Sequence, residues 1–247
     1  MKTILKKKLE RYASEERRLR NQSFFKMGKG DYGEHDIFLG VSVPNVRKVA
    51  KANKDLSFSQ LEQEIKSKFH EVRACVLFIL RKKLSESQKK NDSKKEKQVI
   101  QFYLKYIDYV NNWDLVDSSA PYILGTALAR NSLSVKILES LLTSDNLWKR
   151  RIALLATFPL IKQGDFALSL RFIKELLNDK EDLIHKATGW ALREIGKRNT
   201  QVCEDFLYAE YEKIHRTTLR YAIEYMHEKK RKYFLQLQKK RGKSIGF

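Results

Sequence analysis

Apolar residues in this chain recur at intervals of three and four almost from end to end, and that spacing limits the fold more than any other feature. Leu61, Ile65 and Phe69 form one such stripe, and Ile152, Leu155, Ala156 and Pro159 form another. A step of three or four residues returns to the same face of a helix, whereas a half-buried strand needs strict alternation. Ten glycines and three prolines in 247 residues leave few breakers, which suits helices joined by short turns. Ser59 with Glu62 reads as a capping box, and Pro44 behind Ser42 and Val43 as a first helical turn. Ser132 or Ser134, and Asp145 or Asn146, read as further N-caps. The pattern predicts about a dozen helices and no strand hairpin, hence an all-α protein.

The helices also look periodic. Arg73 in HEVRACVLFIL, Arg151 in NLWKRRIALLATF and Trp190 in DLIHKATGWALREI each follow a polar turn and open an apolar helix, at intervals of 78 and 39 residues (73 to 151 to 190). The midpoint of the longer interval falls on Asn112 in NNWDLVDSSAPYILG, again a turn leading into a helix. A repeat of about 40 residues is the size of a two-helix HEAT or armadillo unit. Stacked units would form a curved solenoid, with a concave face lined by the helices that start near 73, 112, 151 and 188. The expected organisation is a single repeat domain over 1–228, interrupted by a polar, linker-like insertion at 85–98 (SESQKKNDSKKEKQ). A basic helix or tail follows over 229–247, with eight Lys or Arg and no acid.

Charge narrows the function. Lys plus Arg number 50 against 30 Asp plus Glu, a net +20. An excess of that size favours a polyanionic partner, because each cation set on a phosphate releases condensed counterions. No apolar run approaches the roughly 20 residues that span a bilayer, and the mixed-charge start MKTILKKKLERYASEERRLR has no signal-like apolar stretch. A cytoplasmic protein is expected, with Cys75 and Cys203 as buried thiols in a reducing compartment. The five histidines, His35, His70, His185, His215 and His227, show no metal-ligand spacing. GKGDYG at 28–33 spells a dinucleotide fingerprint, but helical sequence precedes it and no apolar helix follows. It reads as a loop whose neighbours Lys26 and Lys29 could lie near phosphate.

Trp113 and Asp117 in NNWDLVDSSAP stand four apart and share a helix face. An aromatic plane beside a carboxylate would stabilise a sugar ring that gains positive charge as its glycosidic bond breaks. The same spacing also suits a buried Trp with a capping or salt-bridged Asp. Lys149, Arg150 and Arg151 are consecutive on a helix and cannot all point one way; one could clamp a phosphate while the others face water. Trp190 follows Gly189, whose missing side chain permits close approach, although a lone Trp on an apolar helix is more often core.

Taken in order, NWDLVDSSAPYILG, SDNLWKRRIALLATF and DLIHKATGWALREIGKRN resemble the motifs of the AlkD-type DNA alkylation-repair glycosylases, a HEAT-like repeat family. FLGVSVPNVRKVAK at 38–51 resembles its amino-terminal motif, so the resemblance runs over roughly residues 20–226. It implies a catalytic set of Trp113, Asp117 and Arg151, with Trp190 lining the DNA cleft. Lys149, Arg150 and Lys186 are further DNA contacts, and no cofactor or metal is needed. The implied activity is monofunctional excision of cationic purines such as 3-methyladenine and 7-methylguanine from double-stranded DNA by a monomer, without turning the base into a pocket. Arg151 would hold a backbone phosphate, Asp117 would act on C1′ and water, and the two Trp rings would pack on deoxyribose. The sequence departs from the family at Asn112, where a second Trp is expected, in the GKGDYGEHD loop and in the basic tail. A non-catalytic binder of damaged or branched DNA is the alternative.

Overall fold

The computed structural model describes residues 4–244, with side chains through residue 237. Its contacts cluster into two compact units, residues 1–124 and 125–247. Helices in the first are α1 (Ile4–Leu9), α2 (Glu15–Phe24), α3 (Val43–Ala52), α4 (Phe58–Ile65), α5 (His70–Lys89), α6 (Ser93–Lys105) and α7 (Trp113–Ala120). Those in the second are α8 (Thr126–Ala129), α9 (Val135–Leu142), α10 (Leu147–Leu155), α11 (Phe158–Gln163), α12 (Ala167–Glu175), α13 (Asp182–Gly196), α14 (Thr200–Ala209), α15 (Arg216–Ala222) and α16 (Glu228–Ser244). Among the described residues there is no strand; one isolated bridge pairs Ile37 with Phe69. The protein is all-α, as the apolar spacing predicts. No described helix is long and apolar enough to cross a membrane.

The starts of α5, α7, α10 and α13 lie 43, 34 and 35 residues apart (70, 113, 147, 182). Arg73, Arg151 and Trp190 are therefore helix-interior residues, not openers. The polar turn stands three to eight residues before each of them, and the intervening turns of helix carry mixed polar and apolar residues. The segment 85–98 needs a larger correction: α5 runs through Lys89 and α6 begins at Ser93, so only 90–92 are non-helical. Its Lys, Glu, Gln and Ser residues form helix well once neighbours are packed. Buried Leu84 and Ser87 continue the inner face of α5, and Asp92 caps α6 by accepting from the Lys95 amide at 2.9 Å. At α4 the capping box is Ser57 with Gln60. Ser59 is already inside that helix, and Glu62 pairs with Lys66 at 3.0 Å. Pro44 does sit in the first turn of α3, and Ser134 and Asn146 occupy the N-cap positions of α9 and α10.

In the first unit α5 is buried on most sides, through Val72, Cys75, Val76, Ile79 and Leu80. Burial pushes the Cys75 and Cys203 thiols up to about 12, so both stay protonated. In the second unit α13 and α15 touch at backbone distance. The Thr188 and Thr218 hydroxyls meet at 3.0 Å, and both donate to the His185 carbonyl. Gly189 makes this possible, since a Cβ there would lie 2.5 Å from Tyr221 Cβ and 2.6 Å from the Thr218 carbonyl oxygen.

Gly189→Ala tests that packing. Alanine favours a helix interior by up to about 1 kcal/mol over glycine, but forcing α15 away costs about 1–3 kcal/mol. Chemical denaturation should show a net loss of about 1–2 kcal/mol. An unchanged or raised stability would contradict the close contact.

Candidate functional site

The first turn of α7 is anchored by a buried polar network. Asn112 caps it, its Oδ1 accepting from the Trp113 amide at 2.8 Å while its Nδ2 donates to Asp36 at 2.6 Å. Asp36 lies at the end of the 28–36 loop with its side chain buried, and its carboxylate also meets Arg73 and, at 3.1 Å, His70 Nδ1. His70 Nε2 reaches Asp114 at 2.8 Å, and the other Asp114 oxygen accepts from the Leu115 amide at 2.8 Å. Next to His70, Glu71 accepts the backbone amides of Leu39, Gly40 and Val41 at 2.9, 2.8 and 3.1 Å. Gly40 suits this hairpin of contacts, with φ +78 and a Cβ position 2.1 Å from the Ser14 carbonyl oxygen.

Charge in the network balances. Burial disfavours the charged form of His70, but the carboxylates of Asp114 and Asp36 outweigh it and push the imidazole up to about 9. Burial likewise disfavours the Asp36 carboxylate, and its contacts with His70, Arg73 and Asn112 prevail and hold it down at about 2. At neutral pH Asp36 is therefore a carboxylate and His70 an imidazolium.

On this base stands Trp113, half-buried. Its ring stacks on Phe25 at 5.4 Å and 20°, and meets the edge of Phe24 at 5.6 Å. The stack continues from Phe25 to Phe38 at 4.7 Å and from Phe38 to His70 at 4.4 Å. Trp113 and these rings line a cavity of about 340 Å³ within the first unit. Asp117, one turn further on the same helix, is half-buried. Asn112 caps this helix start and Asp114 pairs with His70.

In the second unit Arg151 is buried on α10, and its Nη1 donates to the Leu183 carbonyl of α13 at 2.5 Å. Arg150 grips Asp179 with Nε and Nη2 at 2.6 and 3.0 Å, and its Nη1 serves the Ser144 and Asp145 carbonyls. Lys149 is half-buried. Lys186 pairs with Asp182 at 2.7 Å. Trp190 is half-buried and meets Phe158 edge-on at 4.8 Å. The structure thus brings Trp113 and Asp117 together on one helix, and Arg151 and Trp190 onto the neighbouring helices α10 and α13. Sequence reasoning missed Asp36, His70, Asn112 and Asp114. The signal was Asn112 and Asp114 flanking Trp113, and a histidine at the first position of α5. Among the described residues no three His, Cys, Asp or Glu side chains gather as a metal site.

A family model described as DNA alkylation repair enzyme matches residues 5–226. The chain resembles in fold a protein from Enterococcus faecalis described as a predicted DNA alkylation repair enzyme. The two are 19% identical with a TM-score of 0.65, over 87% of this chain and 97% of that one. It also resembles AlkD2 from Streptococcus mutans, at 17% identity and a TM-score of 0.52, over 84% of this chain and 96% of that one. No curated protein sequence matches.

The His70 cluster gives a pH prediction. A pKa raised from 6.5 to about 9 stabilises the fold fully below pH 6.5, and this contribution is lost as pH rises through 9. The loss should be on the order of 3 kcal/mol. His70→Gln should lower stability at pH 6 and flatten the dependence between pH 6.5 and 9 in denaturation experiments. A variant that kept the parent's pH dependence would show that another group titrates.

Proposed function

Because the chain belongs to the DNA alkylation repair enzyme family, we propose that it hydrolyses the N-glycosidic bond of cationic alkylated purines, such as 3-methyladenine and 7-methylguanine, in double-stranded DNA. The observation that carries this reading is α7 itself: a half-buried aromatic ring and a half-buried carboxylate one turn apart, on a helix whose first turn is pinned by Asn112 and Asp114. Preorganised charge of this kind acts where charge develops in a transition state. The net charge of +20 suits the polyanionic substrate. We read the helices beginning at 70, 113, 147 and 182 as successive HEAT-like units of a monomer.

In the proposed reaction the C1′–N bond breaks and its electron pair neutralises the cationic purine, which leaves. The deoxyribose gains oxocarbenium character, which the Asp117 carboxylate stabilises, and the Trp113 ring packs on the sugar. Water then bonds to C1′ through oxygen and gives a proton to Asp117, leaving an abasic site. The leaving group is already positive, so neither an acid nor a metal is required to expel it. In the second unit Arg151, whose Nη1 donates to the Leu183 carbonyl, would hold a backbone phosphate, while Trp190 packs on deoxyribose. Lys149 and Lys186 would add phosphate contacts. Arg150 contributes as charge, its donors being bound by Asp179 and two carbonyls.

Asp117→Asn keeps the shape and removes the charge. Release of 7-methylguanine should fall about a hundredfold, an effect of about 3 kcal/mol, while affinity for the intact lesion duplex changes little. Arg151→Ala should weaken binding and release together, because a phosphate contact serves ground and transition states alike. An Asp117→Asn protein that released base at the parent rate would refute the mechanism.

A further inference from the structure

Within the second unit a cavity of about 660 Å³ is lined by Arg193, Arg216, Arg220 and Arg231, with Glu224 as the one acid. We propose that this cavity seats consecutive phosphates of a DNA strand, and that α16 completes it. The inference rests on the reading that the chain works on duplex DNA.

Four guanidinium groups around one carboxylate repel one another in the protein alone. Only Arg193 is neutralised, by Glu224, and its Nε is buried without a hydrogen-bond partner. Arg216, Arg220 and Arg231 are exposed and pair with no carboxylate among the described residues. A guanidinium offers paired donors that match phosphate oxygens, so this set suits a phosphodiester chain.

The cavity is built, not incidental. Arg216 and Arg220 stand one turn apart on α15, which the threonine pair and Gly189 clamp to α13. Arg231 comes from α16, whose Phe234 is fully buried against Tyr208 at 5.1 Å. Arg231 and Leu235, four apart, present the same face of α16 to the cavity. On α13, Lys186, Trp190 and Arg193 follow one another at four and three residues, so the cavity continues the helix face that carries Trp190. That continuity favours nucleic acid over an acidic protein segment. α16, which supplies Arg231, begins beyond residues 5–226 that the family model matches.

The test is the salt dependence of affinity for an undamaged duplex. Each phosphate contact contributes about 0.9 to the slope of log K against log salt. Arg220→Gln combined with Arg231→Gln should make that slope shallower by about 1–2 and weaken binding at least tenfold at low salt. Arg220→Lys with Arg231→Lys should restore most of the slope, which a folding defect would not allow. Lys89→Gln with Lys90→Gln, which removes the same charge from exposed positions on α5 and the turn after it, should change the slope less. Inorganic pyrophosphate serves as the free-anion probe. Tight pyrophosphate binding that the Gln pair abolishes, with the duplex slope unchanged, would make the cavity a small-anion site and overturn the proposal. If the parent binds duplex and the Gln pair keeps its slope, the arginine cavity alone fails. If the parent has no duplex affinity, the enzyme reading fails with it.

Discussion

The carboxylate of Asp36 is the point on which the first unit turns. It is buried, yet it collects His70, Arg73 and the side-chain amide of Asn112. Those three residues belong to α5 and to the N-cap of α7, so one acid fixes the start of one helix against the start of another. A buried charge left without its partner costs about 3–5 kcal/mol, so each member of the network contributes to the stability of the others. His70 extends it to Asp114 and makes the imidazolium a bridge between two carboxylates. Trp113 stands between the two residues so held. Its ring is set by the aromatic stack that runs through Phe25 and Phe38 to His70 itself.

The second unit reaches a similar precision by other means. Gly189 and the paired hydroxyls of Thr188 and Thr218 bring α13 and α15 to backbone contact, which fixes Trp190 on one side of α13 and Arg193 one turn on. Cations at the start of α10 are largely tied to protein acceptors. Arg150 spends its donors on Asp179 and two carbonyls, and Arg151 is seated on Leu183. A guanidinium with part of its donor set fixed loses little freedom when it meets a phosphate.

Much of this was legible in the sequence. Apolar spacing gave an all-α fold, and Trp113 with Asp117 was visible as a pair because helix geometry makes four-residue spacing a shared face. Gly189 could be read as a close approach. Other features depend on contacts that no local pattern encodes. Asp36 closes a loop that reads as a surface turn, and it meets Asn112 across 76 residues. Local composition misled at 85–98, where a run without apolar residues is helical because its neighbours supply the packing. The Ser57 cap was displaced by two residues to Ser59, since both serines precede suitable N3 partners. Arg73, Arg151 and Trp190 suggested a spacing of 39 residues, whereas the helices that hold them start up to two turns earlier, at 70, 147 and 182.

The central claim is that α7 carries the chemistry of base release. The most direct measurement is chromatographic detection of free purine after the parent protein is incubated with methylated duplex DNA. 7-Methylguanine and 3-methyladenine should appear as free bases, in step with alkali-labile abasic sites and without strand cleavage by the protein. Tight binding of the same duplex with no base released above the spontaneous rate would contradict it, and would leave a DNA-binding protein without catalysis.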